Sequence, residues 1–430
     1  MTEGSAQPVV APLVVAQPVV APPPGHPRFA LVDSLRAIAA ISVLLTHTGF
    51  ATSAITNPTY GAYVGRLNVG VTVFFVISGF LLYRPFAAHR LLSAPATRVR
   101  DYARRRLLRI VPAYWLALTV LAIFPGLPGV FTNHWWIYYG FLQVYNDGTI
   151  LKGIGPAWTL CVEITFYAFL PVYAVALARC LRRAGLRRQV QAELVLLAVI
   201  SVAAVWYRYW LTVHAPISPM LFALPTQIDW FAAGMALAVL SVASQATIRP
   251  WPAMRIVTRR PVLPWAVAAA AFWAVSKLVT GPHQIDLFGH EALIFTPGED
   301  LAQHILYTVV GAALVVPAVF GADGGGRVRS ILADRRLAWL GLISYGIYLW
   351  QSPLLEWVCQ PSGTDIVTRC RFHGAGLFQS FPFLSLTLLS AVIVIACAAT
   401  SYYLLERPLL RLKYRRSPPA PPRELATADG

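Results

Sequence analysis

The sequence predicts an all-α, polytopic integral membrane protein of about ten transmembrane helices, with both termini cytoplasmic. Three observations carry that expectation. Of 430 residues, 57% are hydrophobic and only 12% charged, where soluble domains carry about a quarter charged residues. Apolar runs of about twenty residues, each long enough to cross a bilayer, recur from residue 29 to residue 406. The net charge of +17 is nearly all arginine, with Lys152, Lys277 and Lys413 the only lysines, and it falls in clusters between apolar runs. Nucleic-acid binding does not require that spacing; membrane topology does.

Residues 1–28 are low-complexity Pro, Val and Ala. Their prolines prevent a helix and no basic stretch precedes the apolar part, so a disordered, partly polyproline tail is expected rather than a signal peptide. Ten spans follow, near 29–50, 68–87, 108–125, 157–179, 192–211, 221–242, 263–280, 301–321, 338–357 and 383–406. The apolar stretch 135–145 (WWIYYGFLQVY) is too short to cross. Arginine clusters at 90–106, 179–188, 249–260, 327–336 and 407–416 all reach the cytoplasmic side if 157–179 crosses and 135–145 lies at the outer surface or is re-entrant. The loops 51–67, 212–220 and 281–300, whose only arginine is Arg66, then lie outside. The chain divides into the tail 1–28, a transmembrane domain 29–412, and a basic then Pro-rich disordered tail 413–430. Cys359 and Cys370 share the last outer loop, where a disulfide is permitted but spacing alone leaves it open.

The first span carries the most unusual residues. Arg36 and His47 are eleven apart in "LVDSLRAIAAISVLLTH", which on a helix is about 20° past three full turns and about 16 Å along the axis. Asp33 falls within about 40° of the same line. One stripe is thus polar at both ends and should face protein or water rather than lipid. Asp33 is equally well a boundary residue. A histidine in such a place can take a proton from a hydroxyl or accept an acyl group itself.

"VDSLRAIAAISVLLTH" resembles the first helix of the membrane-bound acyltransferase 3 family, in which an arginine, ten residues and a histidine recur. Further matches follow in the family's order: NVGVTVFFVISGFLLYRPF (68–86), YARRRLLRIVPAYWLAL (102–118), PAWTLCVEITFYAFLP (156–171), LGLISYGIYLWQSPLL (340–355) and YYLLERPLLRL (402–412). The resemblance implies a multi-pass membrane acyltransferase, and the abundance of Arg, Ala and Val over Lys suggests a bacterium and hence a bacterial plasma membrane. Its donor would be acyl-CoA, usually acetyl-CoA, and it would O-acylate a carbohydrate, lipid or small metabolite. No metal or nucleic acid is expected.

Arg104, Arg105, Arg106 and Arg109 are expected at the cytoplasmic mouth, where guanidinium forks suit the phosphates of CoA. Topology and anionic lipid also account for such a cluster. Ser78 and Gly79 form a small-residue notch that would admit either a thin pantetheine arm or another helix. Glu163 is a carboxylate inside a span, which is costly unless paired. Trp158 at the start of that span suggests the same outer depth as His47, so a His47–Glu163 pair is expected, with an arginine or a helix-packing role as the alternatives. Asp229 is expected to be structural or channel-lining, Tyr345 and Tyr348 interfacial or packing residues, and Glu406 a helix terminator. Two positions depart from the family: Thr72, where an acid is frequent, and Gln351, where a histidine is frequent.

The expected reaction transfers an acyl group from cytosolic acyl-CoA to an acceptor hydroxyl. His47 would be the base or transient carrier, Glu163 its partner, and Arg36 a contact to CoA or to Asp33. The rival is a transporter or flippase, which would also show many spans and buried charges; a catalytically idle scaffold is a third reading. Any acceptor-handling envelope partner is expected to be a separate chain.

Overall fold

In a computed structural model, residues 30–127, 129–146, 148–246, 260, 262–279, 296–320, 326–360, 369–370 and 380–412 are described. Both expected tails lie outside these residues. Helices occupy all ten predicted segments. We number them α1 (Ala30–Ala51), α2 (Gly61–Arg66), α3 (Gly70–Leu92), α4 (Val99–Leu121), α5 (Trp135–Tyr139), α6 (Trp158–Leu181), α7 (Leu186–His214), α8 (Ile228–Ala246), α9 (Val262–Lys277), α10 (Pro297–Val319), α11 (Gly326–Leu332), α12 (Arg335–Leu342), α13 (Ser344–Val358), α14 (Pro382–Ser401) and α15 (Arg407–Leu412). Among the described residues eight helices are long and apolar enough to cross a membrane, and α9 is a shorter apolar helix. The ninth predicted segment is not one helix but α12 and α13, broken at Ile343. The stretch 135–145 forms only the five-residue α5 and a turn, as its length requires. Between α13 and α14 the described backbone pairs Cys359–Gln360 with Arg369–Cys370 in an antiparallel bridge, with Cys359 opposite Cys370.

The buried centre is α3, which packs against α1, α6, α8 and α10. Small residues set these crossings, because in a lipid environment close van der Waals approach has to hold helices together. A Cβ on Gly79 would collide with the Phe231 carbonyl, and one on Gly234 with the Val76 carbonyl, so α3 and α8 approach through reciprocal glycines. Gly70 rests on the Ala39 carbonyl of α1, and Gly341 of α12 on the Asp33 carbonyl. The outward faces are apolar where lipid is expected: Val195, Val199, Val202 and Trp206 line an exposed stripe of α7.

Polar side chains tie the bundle at both ends. At the arginine-rich end, Arg90 of α3 pairs with buried Glu193 of α7, which also accepts from the Tyr83 hydroxyl. At the opposite end, Arg208 of α7 donates to both Asp300 oxygens, at 2.7 and 2.6 Å. Asp229 of α8 meets His304 of α10 at 2.9 and 3.0 Å and accepts from Thr308 at 3.2 Å. Asp229, expected to be structural or channel-lining, is thus paired inside the bundle, and its partner is a histidine that the sequence did not single out.

Candidate active site

A cavity runs between α1, α3, α4, α6 and α13. Arg36, Arg106 and Arg109 line it together with Ser78, Glu163, Tyr167, Tyr345 and Tyr348, and its apolar wall includes Val71, Phe74 and Phe75. Glu163 Oε1 accepts from Ser78 Oγ at 2.9 Å and from the Tyr167 hydroxyl at 2.7 Å. Tyr167 lies one turn along α6 from Glu163, so the two share a helix face. The Tyr345 hydroxyl donates to the Ile110 carbonyl at 2.9 Å, and Tyr348 to the Pro156 carbonyl at 3.1 Å while accepting from Thr159.

Charge in the cavity is lopsided. Arg36 interacts electrostatically with Arg109, Asp33 and Glu163, and Arg106 with Arg109 and Glu163. Among the described residues no carboxylate comes within 4.0 Å of these guanidiniums, whereas Arg90 and Arg208 do have such partners. Glu406 completes the charged set. The last helix passes into a π-helical turn at Tyr402–Glu406, which leaves Glu406 buried and within electrostatic reach of Arg109 and Arg36. Guanidiniums held in a bundle without close carboxylates are equipped to grip an oxyanion such as phosphate.

The expected site residues separate. Arg36, Arg106, Arg109, Ser78 and Glu163 come together; Arg104, Arg105, Gly79 and His47 are not among the cavity-lining residues. On α4, Ile110, Arg106 and Arg109 span about 100° of the helix, while Arg105 flanks Arg109 on the other side and Arg104 lies further round. Gly79 is taken up by the α8 backbone, so of the two expected roles for the notch, helix packing accounts for Gly79 and the cavity for Ser78. The expected His47–Glu163 pair does not form: Glu163 bonds to Ser78 and Tyr167, and His47 Nδ1 is buried without a partner. The inference from depth failed because Glu163 faces the arginines on α1 and α4 rather than the far end of α1.

Tyr345 and Tyr348, expected as packing residues, line the cavity, and Glu406, expected as a terminator, joins its charges. The i, i+3 spacing of the tyrosines and the i, i+4 spacing of Glu163 and Tyr167 were visible in sequence. The approach of Glu406 to Arg36 spans most of the chain and leaves no local signal.

A family model described as an acyltransferase domain, Acyl_transf_3, matches residues 29–403. The YrhL protein of Bacillus subtilis (strain 168), whose name assigns it to peptidoglycan O-acetylation, is 23% identical over 404 residues, covering 89% of this chain and 55% of its own. The peptidoglycan O-acetyltransferase OatA of Listeria monocytogenes is 22% identical over 346 residues, covering 75% of this chain and 49% of its own. An O-acetyltransferase by name from Staphylococcus aureus (strain COL) is 21% identical over 342 residues, 76% of this chain and 50% of its own. The chain therefore spans about half the length of the curated relatives it matches. No solved structure matches it significantly. This multi-pass membrane protein belongs to the acyltransferase 3 family.

Proposed function

We propose that the protein transfers an acetyl group from acetyl-CoA to a hydroxyl of an envelope glycan. The observation that carries the reading is the half-buried group of Arg36, Arg106 and Arg109, without close carboxylates, opening on a cavity with an apolar wall. Arg106 and Arg109 suit the phosphates of CoA. The apolar stretch past Leu81, Phe75 and Val71 suits a thin acyl-pantetheine arm. From Leu82 to Val71 the wall of α3 is about 16 Å long, close to the reach of that arm. The acceptor class comes from the names of the relatives, which act on peptidoglycan. The acyl-CoA end would face the cytoplasm, with the arginine-rich end of the bundle inside.

In the proposed reaction, His47 takes the proton of the acceptor hydroxyl as its oxygen bonds to the thioester carbonyl carbon. The C–S bond then breaks, the acceptor leaves as the acyl ester, and the thiolate of CoA takes the proton held by His47, which restores the base. Glu163, held by Ser78 and Tyr167, stands beside the arginines and acts in placing the donor rather than in orienting His47. Wild-type protein purified in detergent is expected to release CoA from acetyl-CoA. Folded His47→Ala protein is expected to lose at least about a hundredfold of that rate, within the range of general-base contributions. Unchanged release from His47→Ala would move the base elsewhere. A wild-type protein that neither binds nor consumes acetyl-CoA would instead favour transport.

A further inference from the structure

Buried polar atoms are almost always hydrogen-bonded, so orphans that gather in one place mark a site whose partner comes from outside the chain. Among the described residues three such side chains gather beyond the cavity. His47 Nδ1, both amide atoms of Gln351 and the Ser390 hydroxyl are buried without a partner. Gln351 is fully buried and Ser390 nearly so, while His47 keeps 8% of its surface accessible, so the layer is not sealed. The neighbours of His47 are satisfied: Thr46 donates to the Val64 carbonyl, and Thr48 bonds to Thr387 at 2.9 Å.

Helical register puts the three side chains in one layer. Ala51 of α1, Leu355 of α13 and Leu386 of α14 pack together at the end far from the arginines. The Thr48–Thr387 bond and the packing of Gly346 against Ala398 show α14 running antiparallel to α1 and α13. One turn back toward the arginines from each of those apolar residues, on the same helix face, are His47, Gln351 and Ser390. Gln351 also stands one turn beyond cavity-lining Tyr348, and His47 shares a face of α1 with cavity-lining Arg36, eleven residues away.

We propose that His47, Gln351 and Ser390 form the acceptor subsite, and that the acceptor it takes is a polyol, the sugar of a glycan. This rests on the acyl-transfer reading above. A carboxamide offers one donor edge and one acceptor edge side by side, which matches two neighbouring hydroxyls of a sugar. Gln351 grips that pair, Ser390 bonds to one of its members, and the attacking hydroxyl lies against His47, to which it gives its proton. Water, being a single small nucleophile, reaches His47 without needing Gln351.

The test compares two acceptors in one assay with the full chain in lipid nanodiscs. CoA release from acetyl-CoA is followed with water alone and with a soluble peptidoglycan glycan-strand fragment, whose acetylation is read by mass spectrometry. In Gln351→Leu, of similar volume, acetylation of the fragment is expected to fall at least about tenfold. Hydrolysis and the KM for acetyl-CoA should stay within about threefold, and the melting temperature should be no lower. Ser390→Ala should fall less on the same readout, and Gln351→His, which keeps one donor and one acceptor, should retain most of the transfer. Full glycan transfer by Gln351→Leu, or equal loss of transfer and hydrolysis, overturns the subsite. So does a wild type that hydrolyses acetyl-CoA and leaves the fragment unmodified. A wild type that releases no CoA at all overturns the acyl-transfer reading beneath it.

Discussion

Arg106 and Arg109 differ from Arg104 in what surrounds them, not in what they are. The first two line the cavity and Arg104 is exposed on the far side of α4. A hydrogen bond to a charged group contributes roughly 1.5–3 kcal/mol, and each 1.4 kcal/mol is tenfold in affinity. Arg106→Ala and Arg109→Ala are each expected to weaken acetyl-CoA binding about ten- to a hundredfold, and Arg104→Ala by less than about threefold. Titration of labelled acetyl-CoA against each variant checks this. At Glu163 the carboxylate keeps two donors, so Tyr167→Phe removes one hydrogen bond and should cost about 1 kcal/mol of its placement. That is a loss of several-fold in CoA release, less than for Glu163→Ala. Arg36 and Glu163 were legible because each is a charged residue inside an apolar run, Arg106 and Arg109 because they belong to an arginine cluster, and Ser78 because it forms a small-residue notch with Gly79. Sequence alone could not say which of them meet, because helix rotation and tilt are set by neighbours far along the chain.

At the scale of elements, the α3–α8 crossing is the most constrained contact. A side chain on Gly79 or Gly234 meets backbone rather than the flexible end of another residue, so the helices themselves would have to separate. Gly79→Leu is expected to cost at least about 1–3 kcal/mol, the usual range for overpacking, read as a lower melting temperature and a lower yield of monodisperse protein. The join between α3 and α7 is electrostatic. Glu193 is fully buried against Arg90 and Tyr83, and removing one member of a buried pair strands the other, at roughly 3–5 kcal/mol. Glu193→Ala should therefore destabilise the fold, and Arg90→Leu combined with Glu193→Leu should recover much of the loss in the same thermal assay. The notch at Ser78 and Gly79 was legible from sequence. Its division between cavity and packing was not, since adjacent residues on a helix point about 100° apart and only the position of α8 decides which one is covered.

Over the whole molecule, composition and charge clusters were enough to read an all-α membrane bundle and the place of its ten main helical segments. They could not show that the ninth segment breaks at Ile343, or that the polar residues separate into an arginine cavity and a layer around His47 one end apart. Those features depend on interactions between helices hundreds of residues distant in sequence, such as the Thr48–Thr387 hydrogen bond and the electrostatic interaction of Arg36 with Glu406. The separation is central to the proposed reaction, in which the arginine end takes a charged donor and the layer around His47 a neutral acceptor. The most direct measurement is the dissociation constant of acetyl-CoA for the purified full chain in nanodiscs, for wild type, Arg106→Ala/Arg109→Ala and His47→Ala. The account predicts saturable binding by wild type and by His47→Ala with similar constants, and loss of at least about a hundredfold in the double arginine variant. Binding that survives removal of both arginines, or that disappears with His47 alone, would contradict it.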